Sequence, residues 1–268
     1  MDVLKYNREA WNSQVEGGNQ WTVPVSSEII AAARVGDWSI LLTPIRPVPR
    51  DWFPEDLHGV DILCLACGGG QQGPVLAAAG ASVTVLDNSP RQLEQDRLVA
   101  ARENLQIKTI QGDMADLSCF SEESFDLIFH PVSNVFAPEV LPIWREAYRV
   151  LRPGGSLLAG IANPAIYIFD LDRIDQGEFL VRHKLPYADI TDLDKERLQR
   201  LIDEKVPLEF SHTLEEQIGG QIVAGFLIAG FYEDIDPTHA LSNYMPPYFS
   251  TRAVKTWGSL STSIFIQQ

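Results

Sequence analysis

The sequence predicts an α/β fold in which one doubly wound, mostly parallel sheet carries helices on both faces. Short apolar runs alternate with amphipathic stretches through the middle of the chain, which is the pattern of βαβ units. Turn residues separate these runs at short intervals. Because 45% of the 268 residues are hydrophobic, the chain can bury one substantial core. We therefore expect a single domain over residues 1–268.

Five parallel strands are predicted between residues 61 and 162. They are DILCLA at 61–66, SVTVLD at 82–87, IKTIQGD at 107–113, FDLIFH at 125–130 and SLLAGIA at 156–162. Continuous apolar runs such as the first are typical of strands buried on both faces. In an open sheet of this type, ligands bind at the carboxyl ends of the strands.

Helices are predicted between these strands from their boundary residues. The clearest is SPRQLEQDRLVAARE at 89–103, where Ser89 is the N-cap, Pro90 takes the first helical position and Gln92 completes a capping box. Two further helices are predicted at 71–80 and 138–151, and the second ends at the RPGG sequence.

The regular alternation stops after residue 162. Residues 163–207 form too long a segment for a plain connection, so we interpret them as an insertion that caps the carboxyl edge of the sheet together with an N-terminal cap segment, residues 1–50. A helix is predicted at 194–205. Residues 209–235 fit a helix followed by a strand, and STSIFIQQ at 261–268 fits an alternating final strand.

Charge and composition exclude several functions. The net charge is −15 and no Lys/Arg cluster is visible, which is unlike a surface that must neutralise several nucleic-acid phosphates. The longest apolar stretch, 222–231, is too short to span a membrane, and the first residues do not resemble a secretory signal. We expect a cytoplasmic monomer or homodimer with no nucleic-acid or membrane partner.

The three cysteines predict no metal site. Cys64 and Cys67 form a C-x-x-C pair, but no second Cys/His pair stands at metal-site spacing. An odd, sparse set of cysteines gives no disulfide framework and suits a reducing compartment.

The chain leaves the first predicted strand through three consecutive glycines, residues 68–70. Such a turn places bare backbone N–H groups and the start of a helix beside a ligand. Residues 68–73 also satisfy G-x-G-x-x-G, and Asp87 ends the second strand, where its carboxylate can accept hydrogen bonds from two ribose hydroxyls. The pattern predicts an adenosine-containing cofactor, with a nicotinamide dinucleotide and S-adenosylmethionine both open.

Several ordered motifs over about residues 60–160 resemble those of the class I S-adenosylmethionine-dependent methyltransferases that act on small molecules. ILCLACGGG is similar to their first motif, VTVLDNSP to the second, IQGDMADL to the third and FDLIFH to the fourth, and LRPGGSLL is similar to the sequence before their fifth strand. The resemblance implies a Rossmann-like sheet whose final strand is inserted antiparallel between its neighbours. It also implies S-adenosylmethionine as the cofactor.

The resemblance further implies a set of cofactor-binding residues. They are Ala66, Cys67, Gly68, Gly70, Asp87, Asn88, Asp113, Met114 and His130, with Tyr6 and Trp11 from the N-terminal segment. In the family, Asp87 would bind the ribose, Asp113 would face the adenine amino group and the Met114 backbone would meet the ring. The chain departs from the first motif at two positions, because Cys64 replaces an acid that commonly holds the cofactor's ammonium group and Ala66 replaces a glycine.

Methyl transfer is an in-line displacement that depends on positioning and on exclusion of water. A general base matters only for a hydroxyl or protonated amine acceptor, and His130, at the end of the fourth strand, is the candidate. Its alternative role is to cap the strand or to contact the cofactor. Aromatic residues predicted to wall an acceptor pocket are Tyr167, Phe169, Tyr187, Tyr244, Tyr248 and Phe249.

The predicted function is therefore methyl transfer to a small-molecule acceptor. Two alternatives stay open. One is an NAD(P)-dependent oxidoreductase that uses the glycines at 68–73, and the other is a non-catalytic nucleoside-binding module, which the cysteine at position 64 suggests.

Overall fold

A single seven-stranded sheet organises the part of the chain that the computed structural model describes, residues 1–174 and 176–257. The strands are β1 (Asp61–Leu65), β2 (Ser82–Asp87), β3 (Ile107–Gln111), β4 (Phe125–His130), β5 (Leu151–Ala162), β6 (Phe226–Asp234) and β7 (Tyr248–Lys255). Their order is β3-β2-β1-β4-β5-β7-β6. Strands β1 to β5 pair in parallel, whereas β7 is antiparallel to both β5 and β6. The predicted fold class is confirmed.

Helices cover both faces of this sheet. They are α1 (Val3–Glu16), α2 (Ser27–Arg34), α3 (Gln72–Ala78), α4 (Pro90–Glu103), α5 (Leu141–Val150), α6 (Leu171–Ile174), α7 (Asp189–Asp192), α8 (Lys195–Asp203) and α9 (Gly220–Ala224), which a π-helical turn at Glu215–Gly219 precedes. The predicted N-cap of α4 is present, because Ser89 Oγ accepts a hydrogen bond from the Gln92 amide (3.1 Å).

Strand β1 is buried on both faces, and its side chains alternate between two apolar clusters. Ile62 and Cys64 pack in a cluster with residues of α3 and α4. Leu63 and Leu65 pack on the opposite face, in a cluster that contains residues of α5. The period of two along a strand therefore explains why the first motif has no polar side chain within the strand.

The RPGG sequence after α5 belongs to a strand instead of acting only as a helix stop. Strand β5 begins at Leu151, directly after α5 ends at Val150. Phe125 pairs with Leu151 but Leu127 pairs with Ser156, so the extra residues form an irregularity between β4 and β5. Gly154, with φ of +86°, adopts the left-handed conformation that glycine favours in such irregularities.

The antiparallel strand between β5 and β6 is Tyr248–Lys255. The aromatic sequence at 244–249, predicted to wall a pocket, therefore leads into this strand. The strand predicted at 261–268 lies outside the described residues. The alternation of buried and half-buried side chains along β7 is the pattern that a sheet strand requires. No turn residue interrupts this pattern within the strand.

Helix α1 packs over the carboxyl edge of the sheet through a buried asparagine. Asn7, 3% exposed, donates from Nδ2 to the carbonyl oxygens of Phe136 and Leu208 (3.0 Å each), and its Oδ1 accepts from the Leu208 amide (2.8 Å). The neighbouring Tyr6 Oη lies 2.9 Å from the Val206 carbonyl oxygen, to which it donates. These bonds join α1 to the segment after β4 and to the end of the 163–207 insertion.

A buried carboxylate binds the backbone of the turn between β1 and α3. Asp96 on α4 is fully buried, and its Oδ2 accepts a hydrogen bond from the Gly69 amide (3.1 Å). Within the described residues, its Oδ1 has no partner. The pKa of Asp96 is raised to about 8, mainly by burial and also by the Asp87 carboxylate, while the Gly69 hydrogen bond opposes the rise.

We expect the substitution Asn7→Ala to destabilise the protein by about 1–3 kcal/mol, because it leaves a buried amide and buried carbonyl groups without their partner. Urea unfolding followed by circular dichroism measures the change. Lys5→Ala, on an exposed position of α1, is the control and should stay within about 0.5 kcal/mol of the native protein. Equal stability of both variants would contradict the role of Asn7.

We expect Asp96→Asn to change the pH dependence of stability. A carboxyl whose folded pKa is raised stabilises the protein fully below its unfolded pKa, about 3.9. That contribution is lost as pH rises toward about 8. The stability of the native protein relative to Asp96→Asn should therefore fall between pH 5 and 8, by up to about 1.4 kcal/mol per pH unit. Unfolding curves at pH 5 to 9 test this, with Glu94→Gln on the exposed side of α4 as control, and parallel profiles would refute it.

Candidate functional site

A cavity of about 1150 Å³ lies at the carboxyl edge of the parallel strands. Residues that follow each of β1 to β5 line it, and so does Tyr248 at the start of β7. Both predicted cap segments contribute, the N-terminal one with residues of α1, α2 and 39–44, and the insertion with Pro164–Ile168 and α6. The site is therefore enclosed between the strand ends and two segments outside the sheet core.

The glycine turn forms one part of the floor. Gly69 and Gly70 have φ angles of +120° and +72°, which glycine adopts at little cost. A Cβ on Gly68 would lie 2.6 Å from Gln92 Cβ and 3.0 Å from Asp87 Oδ2, so only glycine fits. Ala66 is also left-handed, with φ of +47°, which gives a physical reason for the glycine that the family has there. Ala66 and Gly68 line the cavity, whereas Gly70 does not.

The two cysteines of the first motif are buried thiols. Cys67 lines the cavity, and its Sγ donates to Gln72 Oε1 (3.5 Å). Its hydrogen bond with Cys64 and its burial raise the pKa of the Cys67 thiol well above the usual range. Cys64 packs in the apolar cluster beside α3. The family's acid position is therefore taken here by a core residue.

Asp87 lies at the tip of β2, against the glycine turn. Its Oδ2 accepts from the Gly68 amide (2.9 Å) and its Oδ1 from the Ser89 amide (2.8 Å). Burial raises the pKa of Asp87 to about 6, and these amides oppose the rise. Each carboxylate oxygen retains a lone pair, so Asp87 can still accept hydrogen bonds from a ligand.

Asn88 connects the tip of β2 to α1. Its Oδ1 accepts from Arg8 Nε (2.9 Å), and its Nδ2 donates to the Leu4 carbonyl oxygen (2.8 Å). Further along the edge, Asp113 and Met114 follow β3 and line the cavity. Asp113 Oδ1 accepts from the Ala115 amide (2.9 Å), while Met114 packs against the apolar cluster of the α5 face.

His130 is not among the residues that line the cavity. Nδ1 donates to the Leu65 carbonyl oxygen (3.0 Å), so the neutral ring carries its proton there. Burial lowers the pKa of His130 to about 4. The ring packs edge-on against Trp144 of α5, with centroids 6.0 Å apart. This geometry favours the structural alternative for His130 over a general base.

The two predicted aromatic residues of the N-terminal segment have different surroundings. Trp11 lines the cavity and packs edge-on against Phe136, with centroids 5.1 Å apart. Tyr6 does not line the cavity, because its hydroxyl binds the carbonyl oxygens of Leu201 and Val206. Among the aromatics proposed for an acceptor wall, Tyr167 and Tyr248 line the cavity.

Glu209 is a cavity residue that the sequence reading did not identify. Its Oε2 accepts from Tyr167 Oη (2.8 Å), and its amide donates to Asp189 Oδ2 (2.7 Å). No motif surrounds Glu209, and residues 20 and 42 positions away in sequence supply its contacts. Asp96 was also missed, although it shares the buried side of α4 with Gln92, Leu93 and Val99, so its position on that helix was a usable signal.

No group of three or more His, Cys, Asp or Glu side chains in the described part of the chain could hold a metal ion. No helix within residues 1–174 and 176–257 is both long and apolar enough to cross a membrane.

Comparison with known proteins identifies the family. A family model for the methyltransferase domain matches residues 63–159. The Bacillus subtilis protein named uncharacterized methyltransferase YbaJ is 53% identical over 253 residues, which cover 94% of this chain and 98% of that protein. A ubiquinone biosynthesis O-methyltransferase of Xanthomonas oryzae pv. oryzae is 30% identical over 143 residues, which cover 53% of this chain and 59% of that enzyme.

Solved structures share the fold. An S-adenosylmethionine-dependent methyltransferase from Mesorhizobium loti matches with a TM-score of 0.54 and 22% identity over 76% of this chain and 94% of that chain. A Methanosarcina mazei structure described in the same terms gives a TM-score of 0.57 and 20% identity over 80% and 99% of the two chains. The motif order, the sheet topology and the 53% identical relative together show that this chain belongs to the class I S-adenosylmethionine-dependent methyltransferases.

Proposed function

We propose that this methyltransferase transfers its methyl group to a small molecule that is held between the sheet edge and two cap segments, residues 1–50 and 163–207. The observation that carries the proposal is the size of the cavity and its lining by residues of both segments. At about 1150 Å³, it exceeds the roughly 300–1,000 Å³ of pockets for one small ligand. There is therefore room for the cofactor and for an acceptor beside it.

The residues present fit S-adenosylmethionine. Asp87 retains lone pairs for the ribose hydroxyls at the tip of β2, and Asn88 lies beside it. Asp113 uses Oδ1 for the Ala115 amide, which leaves its second oxygen for the adenine amino group. Met114 offers an apolar surface for the ring. When bound, the cofactor supplies a methyl group activated by a sulfonium sulfur.

The sheet order supports a division of the cavity into two regions. The proposed adenosine contacts follow β3, β2 and β1, which are consecutive in the sheet. The remaining lining residues include 131–133 after β4, Tyr167 after β5 and Tyr248 at the start of β7. We assign this second region to the acceptor. The cofactor's reactive end must lie at the boundary between the adenosine region and the acceptor region.

The chain's own contribution to the reaction is to hold the acceptor in line and to exclude water. Apolar side chains such as Trp11, Ile166 and Val135 line the cavity, and helix α1 forms part of its wall. Positioning of this kind supplies much of the rate enhancement in a displacement reaction.

The net charge of the chain and the name of one relative bear on the class of acceptor. The net charge of −15 disfavours a polyanionic acceptor. The relative named as a ubiquinone biosynthesis O-methyltransferase supports a hydroxyl-bearing small molecule as one candidate. Cytoplasmic location and a monomeric or homodimeric state remain predictions from the sequence.

We expect S-adenosylhomocysteine, the spent cofactor, to raise the melting temperature, whereas NADH should not. A ligand at a hundredfold its dissociation constant stabilises the folded state by about 2.7 kcal/mol. A thermal-shift measurement with both compounds makes the comparison. A shift with NADH alone would favour the oxidoreductase alternative and would overturn the proposal.

We expect Asp87→Ala to weaken S-adenosylhomocysteine binding by roughly 1–3 kcal/mol, because it removes the charged acceptor for the ribose hydroxyls. Isothermal titration calorimetry measures the loss. Glu122→Ala, an exposed position in the turn before β4, removes a carboxylate at the opposite end of the sheet and should bind normally. Normal binding by Asp87→Ala would mean that the ribose lies elsewhere.

A further inference from the structure

Glu209 is a carboxylate in the acceptor region of the cavity, and one of its oxygens is already committed. Oε2 accepts a hydrogen bond from Tyr167 Oη at 2.8 Å. Among the described residues, Oε1 accepts no hydrogen bond. Since Glu209 lines the cavity, its carboxylate has the capacity to accept a proton from a bound molecule.

The surroundings of Glu209 fix the orientation of this carboxylate. Tyr167 is buried and stacks against Tyr187, with ring centroids 5.5 Å apart. Tyr187 Oη donates to Asp189 Oδ1 (2.6 Å), and Asp189 Oδ2 accepts the Glu209 amide. The Phe210 amide donates to the Val135 carbonyl oxygen (2.7 Å), which attaches this segment to the loop after β4.

The charged and titratable groups around Glu209 come from several elements. Asp189 lies behind it, Tyr167 follows β5, Tyr248 begins β7, and His239 lines the same cavity. The pKa of Glu209 is raised to about 7, mainly by burial and also by the nearby Asp189 carboxylate, while the Tyr167 hydrogen bond opposes the rise. A base with a pKa near the working pH has the most useful balance of ionisation and proton affinity.

The position of Glu209 matches the acceptor side of the site. Its partner Tyr167 follows β5, and its neighbour Phe210 is bonded to the loop after β4. Strands β4 and β5 both lie on one side of β1. Strands β2 and β3, to which we assign the adenosine contacts, lie on the other side. Neither Asp87 nor Asp113 lies on the side of β4 and β5.

We propose that Glu209 is the general base of this methyltransferase and that the acceptor is a small molecule whose nucleophile carries a proton, as a hydroxyl or a protonated amine does. This proposal rests on the proposed function. Tyr167 is a positioning residue, which orients the carboxylate through Oε2 and leaves Oε1 to receive the proton.

The proposed step is balanced as follows. The acceptor's O–H or N–H proton moves to Glu209, and the acceptor's electron pair forms the new bond to the methyl carbon. The electron pair of the carbon–sulfur bond returns to sulfur, which becomes a neutral thioether. The carboxyl then loses its proton to water, so no oxidant or reductant is needed.

The first test is independent of turnover. Carbon-13 NMR of protein labelled at the glutamate carboxyl, with and without S-adenosylhomocysteine, identifies the Glu209 resonance by its absence in Glu209→Gln. We expect this carboxyl to titrate near pH 7 and to titrate at higher pH in Tyr167→Phe, which lacks the stabilising donor. Titration in the ordinary range near pH 4.3 would overturn the proposal.

The second test measures S-adenosylhomocysteine formation with three probes, namely catechol, benzylamine and thiophenol, at pH 8. We expect Glu209→Gln to lose about 100-fold or more in kcat with catechol or benzylamine. Its rate with thiophenol should be nearly unchanged, because that thiol is already ionised. Glu209→Asp keeps a carboxylate and should retain the acidic limb of the pH profile, and Glu196→Gln, exposed on α8, is the charge control.

An equal loss with all three probes would mean a structural role for Glu209 and would refute the proposal. So would the absence of turnover with both catechol and benzylamine in native protein that binds S-adenosylhomocysteine. Failure of the native protein to bind S-adenosylhomocysteine would instead contradict the proposed function, so the two failures are distinguishable.

Discussion

The turn between β1 and α3 depends on two carboxylates that accept its backbone amides. Asp87 binds the Gly68 amide from the tip of β2, and Asp96 binds the Gly69 amide from α4. Both acids have raised pKa values because burial disfavours their charge. The site is thus built from groups whose ionisation is costly, and the backbone amides of the glycine turn offset part of that cost.

Polar contacts, and not only apolar packing, attach the N-terminal helix α1 to the residues beside the sheet edge. Asn7 joins α1 to Leu208, directly after the insertion, and to the loop after β4. Within the insertion, the carboxylate of Asp170 is nearly buried and pairs with Arg182 and Arg197.

Local signals predicted the sheet core and the cofactor side of the site, because strands, caps and glycine turns are determined by neighbouring residues. Asp87 could be assigned from its place at a strand end. His130 shows the limit of that reasoning, since it shares the side of β4 with Ile128, which packs in the α5 cluster. The alternation of side chains along β4 indicates that His130 points toward α5, on the same side as Ile128. Glu209 was beyond sequence reasoning, because Tyr167 and Asp189 reach it only in the folded chain.

The central claim is that the cofactor's adenosine lies across β3, β2 and β1 and leaves the region in front of β4, β5 and β7 for the acceptor. A crystal structure with S-adenosylhomocysteine tests this most directly. The account predicts density with the ribose hydroxyls at Asp87, the adenine amino group at Asp113 and open space between the sulfur and Glu209. Density for the adenosine in front of Tyr167 and Tyr248 would contradict it.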